Sequence, residues 1–185
     1  GAIGQVDWCA LGGVLRLARM EPTDRSPYAC SDSHSSSLAM TSTESAITPQ
    51  RLEAERWKAR ELTGHMGHIG PLWTRKEPEG WAYGLLAEAK HLNPVGVMHG
   101  GAISTLLDHV ISSVAWEACG RQPCVTVQLD THFMGSVLSG QFAEVRAQLK
   151  HRSRSLVFLY GEMTVDGALV ASAQAVMKVI APRSA

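Results

Sequence analysis

A helix that begins directly after His99-Gly100-Gly101 is the part of this sequence best suited to chemistry. Apolar residues recur at spacings of three and four from Ile103 to Val114, which predicts a helix with one buried face. Glycines at its start let the backbone approach a ligand, and the first N–H groups of a helix have no partner within it. Because this end also carries partial positive charge, it suits an oxygen that becomes negative during a reaction.

Asp108 is an acidic residue within the same predicted helix, where Asp is a poor helix former. At ~100° per residue it lies roughly 140° from Ile103, beside Ser104 and Ser112 and away from the main apolar face. Two interpretations follow from this position. Asp108 is either a carboxylate on a solvated face or a functional group, and helix periodicity does not separate the two.

The segments around this helix predict the elements that must position these residues. Two short strands at 72–76 and 81–87 flank Pro78-Glu79-Gly80, which indicates a hairpin. Four further strands are predicted after the helix, at residues 124–133, 141–150, 155–165 and 168–180. The last two meet at Asp166-Gly167, a two-residue hairpin turn. The sequence therefore predicts an α+β domain in which one antiparallel sheet buries the long helix against its concave face.

The first of these four strands shows alternating apolar and polar residues. Alternation predicts two faces, with Val125, Val127 and Leu129 on one and Thr126, Gln128 and Asp130 on the other.

The chain before this domain has a different composition. Residues 31–45 are rich in Ser and Thr with few apolar side chains, which is typical of a linker. We therefore divide the chain into an N-terminal extension at 1–47, expected to be flexible and in part an expression remnant, and a domain at 48–185. Thr48-Pro49 is a good helix start, and the pattern predicts a helix over 49–62 that Gly64 ends.

Composition excludes several classes of protein. The 185 residues contain 17 Lys+Arg and 17 Asp+Glu, and this zero net charge argues against a nucleic-acid binder that relies on a broad basic surface. No apolar stretch approaches the ~18 residues of a membrane helix. The sequence predicts no metal site, because three nearby histidines lack acidic or cysteine partners at ligand spacing: His65, His68 and His91.

The four cysteines, Cys9, Cys30, Cys119 and Cys124, have no metal-binding spacing either. We expect mostly reduced thiols in a cytoplasmic protein, with a Cys119–Cys124 disulfide as the alternative that spacing permits.

The residues around the helix start occur in a combination that is fairly specific. Its members are Asn93, Gly96, His99, Gly100, Gly101, Asp108 and Thr126. With the strand order over roughly residues 65–181, this resembles the hotdog-fold thioesterases, and most closely the phenylacetate-degradation-type branch of the 4-hydroxybenzoyl-CoA thioesterase superfamily. The resemblance implies a long central helix wrapped by a curved antiparallel sheet. It also implies hydrolysis of an acyl-CoA thioester with no cofactor beyond the coenzyme A of the substrate.

The resemblance further implies roles for these residues. The Gly100 N–H would bind the thioester oxygen, Gly101 beside it would help to bind the substrate, and Asn93 and His99 would position the thioester. Asp108 would be the general base for water or the nucleophile, and Thr126 would help to hold the water.

Helix geometry adds a constraint on these roles. Gly100 and Asp108 are eight residues apart, so at ~1.5 Å per residue their backbones lie about 12 Å apart. An oxyanion donor must lie ~3 Å from the reacting oxygen, so these two residues of one chain can hardly serve the same thioester. If both are catalytic, they come from different subunits. We therefore predict an obligate homodimer with two shared sites, with assembly of two dimers into a tetramer as a further option.

A basic turn at Arg152-Ser153-Arg154 is either a solvated hairpin tip or a contact for the phosphates of coenzyme A. Relatives often carry Gly at the position of Ser153. Candidate residues for the acyl pocket are Met98, Val110, Trp116 and Phe133, and the sequence does not distinguish them from ordinary core.

Two other functions stay open: a hotdog hydratase or dehydratase, and a non-catalytic acyl-CoA sensor. The first uses a His-plus-carboxylate arrangement that this chain lacks. The second would be expected to accompany a DNA-binding module, which we do not find.

Overall fold

The computed structural model describes residues 47–180, so the predicted extension at 1–47 lies almost entirely outside them. Three α-helices occur at Pro49–Ala54 (α1), Gly64–Ile69 (α2) and Gly100–Ala118 (α3), with a 3₁₀ turn at Ala89–His91. The seven strands are Lys58–Arg60 (β1), Leu72–Glu77 (β2), Gly80–Leu86 (β3), Cys124–Phe133 (β4), Phe142–Arg152 (β5), Leu156–Val165 (β6) and Ala168–Val179 (β7). None of the described helices is both long and apolar enough to cross a membrane.

All seven strands form one antiparallel sheet in the order β1-β2-β3-β5-β6-β7-β4. The long helix α3 packs on one face of this sheet, and its buried residues are those of the predicted apolar stripe: Ala102, Ile103, Leu106, Leu107, Val110, Ile111 and Ala115. The α+β prediction is confirmed, as are the hairpin β2–β3 and the long helix. The chain turns between β6 and β7 at Asp166 and Gly167, which have φ of 49° and 80°, as a tight hairpin turn requires.

The helix α3 packs closely against the sheet at Gly161 on β6. A Cβ added to Gly161 would lie 3.2 Å from the Ile111 side chain. The absence of a side chain at this position lets α3 lie close against the sheet.

The prediction of a helix over 49–62 is wrong beyond Ala54. Thr48 caps the start as expected, accepting a hydrogen bond from the Arg51 N–H at 3.3 Å. The helix then ends because Arg56 takes φ of 69° and the Trp57 N–H donates to the Leu52 carbonyl at 2.9 Å, a common helix-terminating pattern. This turn buries Trp57, and the residues that follow form β1 instead.

Gly64 also differs from its predicted role. It has φ of 63° and begins α2, whereas the sequence predicted that it would end a helix.

A second apolar cluster, separate from the main core, explains why the chain turns at Arg56. It consists of Leu52, Trp57, Trp73, Ala82 and Phe142. The Trp57 and Phe142 rings meet edge to face with centroids 4.9 Å apart, a favoured geometry for aromatic pairs. Burial of these rings outweighs the helix propensity of residues 55–62, most of which are good helix formers.

Gly84 on β3 provides the space for this cluster. A Cβ at this position would lie 2.1 Å from Cζ of Phe142. We expect Gly84→Ala to lower the free energy of unfolding by about 1–3 kcal/mol, because the ring is held against Trp57 and must shift. Denaturant unfolding measures this change. An unaltered unfolding midpoint would show that the Phe142 ring moves freely and that the cluster is loosely packed.

The predicted faces of β4 are wrong at its start. The ladder with β7 pairs Thr126 with Met177 and Gln128 with Val176, so Val127 is an extra, unpaired residue. This bulge shifts the alternation by one residue. Thr126 therefore shares the helix-facing side with Leu129, and does not share a face with Gln128.

Cys119 and Cys124 are free thiols, so the alternative of a disulfide between them is not realised; Cys9 and Cys30 lie outside the described residues.

Candidate active site

The start of α3 presents one unused backbone donor. His99 is the N-cap, and its Nδ1 accepts a hydrogen bond from the Gly101 N–H at 2.8 Å. The Gly100 N–H donates to no group among residues 47–180. Because Nδ1 is an acceptor, a neutral His99 carries its own proton on Nε2. Two donors are therefore available here, the Gly100 N–H and the His99 Nε2–H, while Gly101 serves to hold His99.

A buried histidine, His91, holds His99 in position at the start of α3. His91 is 2% exposed; its Nδ1 accepts the Glu88 N–H at 2.9 Å, and its Nε2 lies 2.6 Å from the Ile69 carbonyl oxygen. The His91 carbonyl in turn accepts the His99 N–H at 2.7 Å. His91 thus fixes the residue that caps α3, a role that its sequence context did not reveal. No cluster of metal-binding side chains occurs within the described part of the chain.

Asn93 shapes the loop before the helix. Its Oδ1 accepts hydrogen bonds from the N–H groups of Val95 and Val97 at 3.0 and 3.3 Å. The side-chain oxygen is therefore used within the loop, and the amide NH₂ is the part of Asn93 left to contact a ligand.

Asp108 and Thr126 form a pair within one subunit. The Thr126 hydroxyl donates to Asp108 Oδ1 at 2.7 Å. The β4 bulge makes this contact possible, because it turns Thr126 toward α3. The hydroxyl fixes the orientation of the carboxylate and leaves Oδ2 without a hydrogen-bond partner among the described residues.

An open cavity of about 500 Å³ lies beside this pair, along the C-terminal half of α3 and the start of β4. Its lining includes His109, Ser112 and Trp116, of which only Trp116 was among the predicted pocket residues. Met98 and Val110 are instead buried in the main core, and Phe133 is 54% exposed and lies against Gly100. Ser112 could have been recognised from the sequence, since it lies one helical turn after Asp108.

Two residues of the basic turn at 152–154 make hydrogen bonds within the subunit. The Arg152 Nη1 donates to the Ala118 carbonyl oxygen at 2.7 Å and so caps the C-terminus of α3. The Ser153 hydroxyl and backbone hydrogen-bond to Leu156 across the turn. Arg154 is exposed and makes no hydrogen bond or ion pair with the rest of residues 47–180, so it is the member of the turn best placed to contact a phosphate.

Comparison with known proteins points to one family. Residues 95–171 match the thioesterase superfamily. A Pseudomonas aeruginosa protein that is provisionally named an esterase is 31% identical over 110 residues, which cover 58% of this chain and 82% of that protein.

Solved structures are similar as well. A Ralstonia eutropha protein, provisionally described as a thioesterase and related to phenylacetic acid degradation, has a TM-score of 0.51 and 25% identity over 72% of this chain and 92% of its own. A Streptococcus mutans protein crystallised with acetyl-CoA has a TM-score of 0.51 and 25% identity over 56% of this chain and 82% of its own.

The chain therefore belongs to the thioesterase superfamily, with the hotdog fold that the long helix and wrapped sheet define. As a member of that superfamily it is a thioester hydrolase, and the similarity to the Ralstonia eutropha structure agrees with the resemblance of its sequence to the phenylacetate-degradation-type branch.

Proposed function

We propose that this protein hydrolyses an acyl-CoA thioester to a free acid and coenzyme A, at a site shared by two copies of the chain. The single observation that supports this proposal most directly is the separation of two catalytic groups along one helix. A free N–H lies at the start of α3, and an oriented carboxylate lies eight residues further along the same helix. Coenzyme A as the carrier is supported by the similarity to the Streptococcus mutans protein bound to acetyl-CoA.

The reaction needs only the groups described above. The Asp108 carboxylate takes a proton from water as the water oxygen forms a bond to the thioester carbon. The negative charge that develops on the carbonyl oxygen is held by the partner's Gly100 N–H and the partner's His99 imidazole. The carbon–sulfur bond then breaks, and the proton on Asp108 passes to the departing thiolate. Thiols are much more acidic than water, as the cysteine pKa of about 8.5 illustrates, so the sulfur is a good leaving group.

The edge of the sheet supports the pairing of two subunits. β4 is an edge strand of ten residues, and it carries three large apolar side chains that are about half exposed: Val125, Val127 and Phe133. An exposed apolar edge of this kind is a ready template for pairing with another chain. Two copies of β4 related by a two-fold axis would run antiparallel and form one continuous sheet.

This pairing would bring the two halves of the site together. Within one subunit Thr126, near the start of β4, contacts Asp108, whereas Phe133, at its end, lies against Gly100. In an antiparallel pair the start of one strand faces the end of the other. Asp108 of one subunit would therefore lie beside the partner's Gly100.

A subunit-mixing experiment tests the shared site. Asp108→Asn and Gly100→Pro each remove a different half, so each homodimer should be inactive. Co-expression of the two variants should restore about a quarter of wild-type activity, because half of the dimers are mixed and each mixed dimer keeps one intact site. Release of free thiol from acyl-CoA measures the rate.

If the mixture is no more active than the separate variants while wild type is active, the two residues serve one site within a subunit or do not act together. A fully active monomer by light scattering would contradict the shared site directly.

A further inference from the structure

The cavity beside Asp108 continues the candidate active site in one direction. It is lined by His109, Ser112, Ser113 and Trp116 from α3, and by Pro123 and Cys124 at the start of β4. Ser112 follows Asp108 by one helical turn, and Cys124 precedes Thr126 by two residues. The lining from α3 and the lining from β4 therefore both begin next to the hydrogen-bonded pair Asp108 and Thr126.

The opposite direction along α3 is partly covered. One turn before Asp108, the Thr105 hydroxyl lies 3.2 Å from Nε2 of His65, a residue of α2. An acyl group whose carbonyl carbon lies at Asp108 therefore has its open space toward the C-terminal end of α3.

The cavity walls carry no charge near neutral pH. Burial lowers the pKa of His109, and the neighbouring Asp108 carboxylate opposes part of that shift. Burial and the adjacent Cys119 thiol raise the pKa of Cys124 to about 11. The Ser113 hydroxyl is already used, since it donates to the His109 carbonyl oxygen at 2.9 Å. Such walls suit an uncharged acyl chain better than a charged one.

Trp116 is the largest side chain of the lining, and of the lining residues on α3 it lies farthest along the helix from Asp108. It lies eight residues beyond Asp108, about 12 Å along the helix axis. The Arg121 guanidinium stacks over its ring at 5.4 Å, and the Arg121 N–H donates to the Trp116 carbonyl at 2.8 Å. Apart from the His109 imidazole, which follows Asp108 directly in the sequence, the other walls come from small side chains, so the indole is the part of the lining remote from Asp108 that can limit length.

We propose that Trp116 sets the length of the acyl chain that the enzyme accepts, and so restricts it to short and medium uncharged acyl groups. This inference rests on the proposed hydrolysis of acyl-CoA at Asp108. Trp116 is 42% exposed, so its replacement removes little buried packing and should not disturb the fold.

The test compares kcat/KM over straight-chain acyl-CoAs from acetyl to palmitoyl. Wild type should prefer the short and medium members. Trp116→Ala should move the optimum to longer chains and raise kcat/KM for the longest by at least about tenfold, the discrimination that a single methylene can carry in a pocket. Ser112→Phe, which fills the cavity near Asp108, should act in the opposite sense by retaining acetyl-CoA and losing the longer chains.

The matched control is Phe158→Ala on β6. Phe158 is also a partly exposed aromatic, but its neighbours Val157 and Leu159 are the buried residues, so its side chain is on the sheet face away from α3. Its chain-length profile should equal that of wild type. An unchanged profile for both Trp116→Ala and Ser112→Phe would overturn the role of Trp116 while leaving hydrolysis intact. Failure of wild type to hydrolyse any member would instead overturn the proposed function.

Discussion

Asp108→Asn should fold as wild type does and should lower kcat/KM for acyl-CoA hydrolysis by about 10²–10⁴-fold, the usual contribution of a general base. The amide keeps an oxygen that can accept the Thr126 hydroxyl, so the hydrogen bond of 2.7 Å between them can persist. What the amide cannot do is take a proton from water. The loss should therefore fall on kcat, with little change in the unfolding midpoint. Thiol release and denaturant unfolding measure the two quantities.

Asp130→Asn on β4 is the matched control for this variant. Asp130 accepts a hydrogen bond from Gln128 Nε2 at 2.6 Å on the opposite face of the sheet from Asp108. The same chemical change at this position should leave kcat/KM within a factor of about two, since surface substitutions usually have small effects. Wild-type rates in Asp108→Asn would refute the assignment of the base, whatever the control does.

Gly100→Pro should lower kcat by about 10²–10³-fold, because it deletes the N–H that we assign to the developing oxyanion; one such donor is typically worth roughly 3 kcal/mol. Proline is well tolerated at the first position of a helix. The preceding residue, His99, already has φ of −62° and ψ of 137°, the extended conformation that proline requires before it. The helix should therefore form normally, as circular dichroism can verify.

Gly100→Ala separates the loss of the donor from the added bulk. Alanine keeps the N–H, and its Cβ would lie 3.4 Å from the nearest atom of the Phe133 ring, an ordinary contact. We expect Gly100→Ala to retain most of the activity that Gly100→Pro loses. Equal losses in the two variants would mean that the space above Gly100, and not its N–H, matters for catalysis.

The sequence predicted the elements whose signals are local. Periodicity identified α3, and turn residues identified both hairpins, because each depends on neighbours within a few positions. The helix predicted over 49–62 failed for the opposite reason. Its second half is rearranged by burial of Trp57 against Phe142, a contact between residues 85 positions apart. No local pattern in that segment records such a distant partner.

The candidate site shows the same difference between features with local signals and features that depend on distant residues. His99, Gly100 and Asp108 are recognisable because they lie at fixed positions on one helix. Thr126 was named from the resemblance, yet alternation along β4 placed it on the wrong face, since a bulge at Val127 is not encoded in a two-residue period. The lining at His109 was missed because it requires β4 and α3 to be placed side by side, whereas helix spacing alone places Ser112 next to Asp108.

The length of chain between Gly100 and Asp108 has a consequence for how activity depends on abundance. If one helix can offer only half of what the reaction needs, a newly made chain is chemically inert until it meets a second copy. Turnover per cell would then rise more steeply than the amount of protein when copies are scarce, and in direct proportion once nearly all are paired.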